Sequence, residues 1–114
     1  MDRPLFPAAT AELAGKKRAL APETDAAFKA FSTQVFADGA LPTKTKQLIA
    51  VAVAHVTQCP YCIRGHTAAA LKEGATQEEV MEAIWVAAEM RAGGAYAHAS
   101  LALDTMNEIQ ERSR

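Results

Sequence analysis

Cysteine and histidine come together once in this chain, in the run Cys59-Pro60-Tyr61-Cys62 followed by His66. Proline suits the first turn of a helix and pushes the residue before it out of helical geometry, so Cys59 falls at a helix start and Cys62 within the first turn. Two sulfurs placed this way reach each other across a helix N-terminus, where unpaired backbone N–H groups and the helix dipole favour thiolate over thiol. His66, four residues after Cys62, falls on the same helical face as that sulfur, within range to take its proton directly or through water. Nucleophile, base and resolving thiol are then all present within eight residues. Cys62 is the expected attacking thiol, because it shares a face with His66 whereas Cys59 precedes the helix.

Three chemistries compete for this cluster. A redox-active dithiol stands first on spacing and helix-start context. Zinc stands second: two thiolates and an imidazole are good ligands, but a structural site needs a fourth, and only His55 is at hand to supply it. Inert buried thiols beside a satisfied histidine stand third. The cysteines, the only two in the chain, enclose too short a loop for a disulfide to staple a fold, so their role reads as chemical. His55, inside an apolar helix, is read first as a core histidine and second as a group pointing into the site. Glu89 lies among Val86, Ala87, Ala88 and Met90, where a charge is costly to bury unless paired or protonated. It is either a surface ion pair or an acid of the proton relay. His98 is assigned to solvent.

The elements that must position these groups are helical. The chain has 114 residues, of which 26 are Ala, 6 Gly and 5 Pro, and 50% are apolar. That length allows one domain over residues 1–114, with an arm and helices to about residue 40 and a core bearing the cysteine motif over about 41–103. A net charge of −1 gives no positive field to hold nucleic acid or an anionic membrane. The longest apolar run, Leu48 to Val56, covers nine residues where a membrane span needs about 20. No secretory signal opens the chain, so a cytoplasmic location is expected.

Six helices are expected. Thr10 caps a first through about Ala19, and Pro22 opens a second that carries Phe28, Phe31, Val35 and Phe36 and ends at Gly39. The third runs from about Thr43 to Val56, and the fourth from about Pro60 to Glu73, where Gly74 stops it. Thr76 and Glu79 form a capping box for the fifth, which Gly93-Gly94 breaks or kinks. The last covers about Ala95 to Arg112. The phenylalanine stripe is read first as core and second as a subunit interface or pocket mouth, and Trp85 first as a packing anchor and second as a substrate wall. So many apolar residues exceed what one small core can hide, so subunit contacts are expected to absorb the rest.

The run Lys46-Gln47-Leu48-Ile49-Ala50-Val51-Ala52-Val53-Ala54, then Cys59-Pro60-Tyr61-Cys62, His66, and Gly74-Ala75-Thr76 before Glu78-Glu79-Val80 resembles the alkylhydroperoxidase AhpD-like core of the carboxymuconolactone decarboxylase family, over about Leu41 to Leu103. The resemblance implies an all-α fold, assembly into homotrimers or homohexamers, and reduction of a peroxide substrate by the cysteine pair without metal or organic cofactor. It assigns attack to Cys62, resolution to Cys59 and proton relay to His66. It points to a dithiol electron donor, a lipoyl-bearing or thioredoxin-like protein. Lactone-decarboxylating members generally lack the cysteine pair, which argues against that activity. The family relay usually includes a glutamate twelve residues before the first cysteine, where this chain has Gln47, and some members have His where this chain has Tyr61. An amide orients by hydrogen bonding but takes no proton, so Glu89 is the expected substitute in the relay. The alternative from another class is a non-catalytic redox sensor or metal-binding module built on the same residues.

Overall fold

The computed structural model describes residues 3–114, and every regular element among them is an α-helix. They are α1 (Ala11–Leu20), α2 (Pro22–Phe36), α3 (Thr43–Thr57), α4 (Pro60–Lys72), α5 (Gln77–Ala97) and α6 (Ala99–Arg112). The starts obey local chemistry. Thr10 accepts the Leu13 N–H at the head of α1, and Pro22 opens α2. Thr76 and Glu79 close the reciprocal capping box of α5, with Glu79 accepting the Thr76 N–H at 2.9 Å and Thr76 accepting the Glu79 N–H at 3.0 Å.

A small core sits where α3, α4 and α5 meet. Val51, fully buried, packs with Ala70, Ala75 and Val80, and Leu48 and Ile84 close over them. Burying the Val51 side chain contributes about 1.5–3 kcal/mol. Alanine at positions 54, 70, 75 and 87 lets the helices approach closely at this seam. Gly74 makes the turn from α4 to α5 at φ 92, a conformation that a side chain would strain. At the other end of α4, Gln58 holds the left-handed conformation at φ 58, ends α3, and hands the chain to Cys59. A non-glycine residue there costs about 1 kcal/mol and sets the corner on which the cysteines stand.

The turn from α2 to α3 is tied by side chains. Asp38 Oδ1 accepts the Thr43 N–H at 2.7 Å and lies 2.9 Å from the Thr43 hydroxyl, which is also 2.8 Å from the Phe36 carbonyl oxygen. Lys46 Nζ donates to the Val35 and Ala37 carbonyls at 2.8 and 2.6 Å, satisfying acceptors left open at the end of α2. Lys44 pairs with Glu79 at 3.0 Å, joining α3 to the head of α5. The Thr43 N–H, first, and its hydroxyl hold the Asp38 carboxyl below its ordinary 3.8. The Thr76 N–H, and then Lys44, lower Glu79 below 4.5. A carboxyl lowered by folding adds stability above its ordinary value and loses that contribution as pH falls through the lowered one. Thermal unfolding of the Asp38→Asn, Glu79→Gln double variant should therefore depend less on pH than the parent below about pH 4; an equally steep acid limb would show that these carboxylates carry no pH-linked stability.

Three expectations are corrected. Gly93-Gly94 does not break α5, which runs unbroken to Ala97, because glycine weakens a helix without forbidding it. Phe28 and Phe31 are not core: they are 67% and 65% exposed, because α2 meets its own chain at its Phe36 end. Trp85 is 68% exposed and anchors nothing within the chain, since α5 packs inward through Val80, Ile84 and Ala87. Smaller differences lie at helix ends, with α2 closing at Phe36 rather than Gly39 and α6 opening at Ala99 rather than Ala95.

Candidate active site

Cys59 caps α4. Its backbone is extended, its Sγ accepts the Cys62 N–H at 3.2 Å, and Pro60 follows at the first helical position, where no N–H is missed. The two cysteines are joined as a disulfide across this first turn, with Cα atoms 5.2 Å apart. Both are half-buried.

His66 lies one turn further along, in the same groove as Cys62. Its Nδ1 is 2.7 Å from Gln47 Oε1 of α3, across 19 residues of sequence. An amide oxygen only accepts, so Nδ1 is the donor in this bond, and of the two neutral tautomers the one with its proton on Nδ1 fits, which leaves Nε2 as the nitrogen that can take a proton. Among the described residues Gln47 is the one polar residue that is buried, and a hydrogen bond is what makes such burial tolerable. The imidazole is held on its face by Phe36, the last residue of α2, with ring centroids 5.2 Å apart and planes 25° from parallel. One side chain therefore fixes the tautomer and another fixes the plane. The groove has a volume of about 520 Å³, and Ser32, Thr33, Phe36, Tyr61, Gly65 and Ala69 complete its walls beside Gln47, Cys62 and His66.

The remaining candidates stand apart. His55 donates from Nδ1 to the Val51 carbonyl of its own helix at 2.7 Å, the satisfied-histidine arrangement. Among the described residues no cluster of three His, Cys, Asp or Glu side chains is arranged to hold a metal ion. His98 is exposed at the junction of α5 and α6. Glu89 is not brought to the cysteines. Its side chain is exposed beside Gly93, and no hydrogen bond joins it to Cys59, Cys62 or His66. The reason is angular: α5 turns Ala87 inward, and two residues further on is about 200° around the helix. Tyr61, by contrast, lines the groove, and its hydroxyl donates to the Pro7 carbonyl at 2.6 Å while its ring meets Phe6 edge-on, tying the N-terminal arm to the site. Phe36 is the site residue that sequence reasoning missed. It was legible only as one member of an apolar stripe, and nothing local marks it as the partner of a histidine 30 positions on.

The residues from 22 to 105 match the family model for carboxymuconolactone decarboxylases. The chain belongs to the carboxymuconolactone decarboxylase family. It is 65% identical over 104 residues to uncharacterized protein 4 in cox locus of Paracoccus denitrificans, covering 91% of this chain and 93% of that one. Among solved structures, a carboxymuconolactone decarboxylase family protein of Legionella pneumophila superposes with a TM-score of 0.68 at 37% identity, covering 85% of this chain and 87% of that one. A family member from Thermotoga maritima, described as a candidate in antioxidative response, superposes at 0.57 with 29% identity, covering 79% of this chain and 93% of its own. Both superpositions support the all-α carboxymuconolactone decarboxylase fold. Among the described residues no helix is long and apolar enough to cross a membrane.

Proposed function

We propose that this family member is a thiol peroxidase that cycles between a Cys59, Cys62 dithiol and the disulfide. The observation that carries the reading is a groove in which Cys62, one half of the cysteine pair, lies with a histidine whose ring is held by Gln47 and Phe36. The description of the Thermotoga maritima relative points the same way.

In the reduced protein the Cys62 thiolate attacks the outer peroxide oxygen. The O–O bond breaks, Cys62 becomes a sulfenic acid, and the alkoxide or hydroxide leaves as it takes a proton from the imidazolium of His66. The Cys59 thiolate, supported by the N–H groups at the helix start, then attacks the sulfenic sulfur. The new S–S bond forms as hydroxide departs and is protonated to water. A dithiol donor returns two electrons and two protons by exchange with the disulfide, becoming a disulfide itself. No step calls for a metal or an organic cofactor. A lipoyl-bearing or thioredoxin-like protein is the proposed donor, a homotrimer or homohexamer the proposed assembly, and the cytoplasm the proposed location, where reducing dithiols are available.

Roles within the pair are tested by trapping. A sulfenic-acid probe added with peroxide should label the Cys59→Ser variant at Cys62 and leave Cys62→Ser unlabelled at Cys59; labelling in the second variant alone would reverse the assignment.

A further inference from the structure

Tyr61 stands between the two cysteines, and the chemistry proposed above makes no use of it. Its surroundings are nonetheless specific. The hydroxyl donates to the Pro7 carbonyl at 2.6 Å, across 54 residues of sequence, and the ring meets Phe6 edge-on with centroids 6.0 Å apart and planes at 84°. The first is a short, well-formed hydrogen bond and the second the arrangement that aromatic quadrupoles favour. Both partners belong to the arm that precedes α1. Pro4 and Pro7 fix φ in that arm, so it loses less freedom on docking than an unrestricted chain would. Thr10 anchors its other end by capping α1.

The ring separates two spaces. On one side lies the cysteine groove of about 520 Å³, which Tyr61 lines together with Cys62 and His66. On the other lies a cavity of about 570 Å³ beneath the arm, where Tyr61 meets Ala8, Ala9, Leu13 and Ala14. Phe6 and Pro7 are not among the walls of the groove, so the end of the side chain that binds the arm is directed out of it. That hold matters because Tyr61 is 40% exposed and no core packing selects its rotamer. Untethered, the side chain passes between staggered wells, and a ring next to Cys62 in the helix then swings across the groove. The groove's volume falls in the range of about 300–1,000 Å³ that accepts organic ligands, and a ring turned inward takes that room away.

We propose that Tyr61 is a positioning residue that governs access to Cys62: held against the arm by Phe6 and Pro7, its ring is kept off the sulfur, and the groove stays wide enough for organic reagents much larger than hydrogen peroxide. The arm is the other half of the device, acting on the site only through this ring. Access to the sulfur is a property of the fold and stands apart from the chemistry done there. Its consequence for substrate choice, a preference for bulky organic hydroperoxides that is lost when the tether is cut, rests on the peroxidase reading above.

Paired alkylation rates test the proposal. Iodoacetamide and its bulkier N-phenyl analogue iodoacetanilide attack the same thiolate with the same leaving group, so a change in thiol acidity cancels in the ratio of their rates, which reads access alone. The measurements use a Cys59→Ser background, in which serine keeps the N-cap role and Cys62 is the single thiol. Releasing the ring by Tyr61→Phe or Phe6→Ala should lower the iodoacetanilide-to-iodoacetamide ratio by up to about fivefold, the shift that one net hydrogen bond supplies. The two together should do no more than the stronger alone, since both cut one tether. Tyr61→Ala removes the ring itself and should keep the ratio at or above the parent's, with or without Phe6. Both positions are exposed, so circular dichroism should show the parent's helicity throughout. A ratio that the releasing variants leave unchanged or raise overturns the proposal, as does an equal fall in Tyr61→Ala and Tyr61→Phe. With peroxides, Tyr61→Phe should lose rate toward cumene hydroperoxide and keep it toward hydrogen peroxide. A protein inert to both peroxides, yet with its alkylation ratios shifted as expected, would defeat the peroxidase reading and leave the role of Tyr61 standing.

Discussion

Cys62→Ser should abolish catalytic peroxide consumption with a dithiol donor, lowering turnover by at least about a thousandfold. A serine hydroxyl is a poor nucleophile toward peroxide oxygen and forms no sulfenic acid, so neither His66 nor the helix start can rescue it. Cys59→Ser should behave differently. Its first turnover proceeds, because attack requires only Cys62 and its base, but no neighbouring thiol resolves the sulfenic acid. Rapid-mixing kinetics should show a single burst equal to the enzyme concentration, and mass spectrometry a gain of one oxygen atom at Cys62, rising to two as excess peroxide drives it to sulfinic acid. Equal steady-state rates for Cys62→Ser and the parent protein would remove the cysteine pair from the chemistry.

The second large effect is expected at Gln47. Replacing it by Leu removes the acceptor for His66 Nδ1, leaves a donor unpaired at a cost of about 1–3 kcal/mol, and frees the ring to change tautomer and tilt. The rate of Cys62 oxidation should fall about a hundredfold, the worth of a positioned base, while circular dichroism stays helical. Gln47→Glu keeps the acceptor but sets a negative charge beside the imidazole, which favours the protonated ring. The base form then appears only at higher pH, so the rising limb of the rate profile should move in the alkaline direction with the maximum rate largely kept. Glu89→Gln, which touches neither the cysteines nor His66, should leave the profile in place. A Gln47→Leu protein with the parent's rate and pH profile would reduce the amide to a packing role.

The motif Cys59-Pro60-Tyr61-Cys62 with His66 was legible in the sequence because its geometry is local. Proline at a helix start, cysteine in its first turn and histidine one turn on are constrained by backbone hydrogen bonds within a few residues, and the same holds for the capping box at Thr76 and the turn at Gly74. The apolar run of α3 announced the core for the same reason. What the sequence could not decide is which side chains from distant elements converge. Gln47 reads as an amide lacking the carboxylate's charge, and only the packing of α3 against α4 makes it the group that sets the His66 tautomer. Phe36 reads like Phe28 and Phe31, yet one stacks on the imidazole and two face outward. Glu89, an acid in an apolar stretch, looked suited to the relay, and the rotation of α5 turned it away. Periodicity gives each helix an apolar face but not the surface that face meets, because that depends on crossing angles and on how many copies share the burial. Local hydrogen bonding therefore determined the reactive pair and its helix from the sequence alone, while the partners of His66 and the fate of the exposed stripes were decided only by long-range packing.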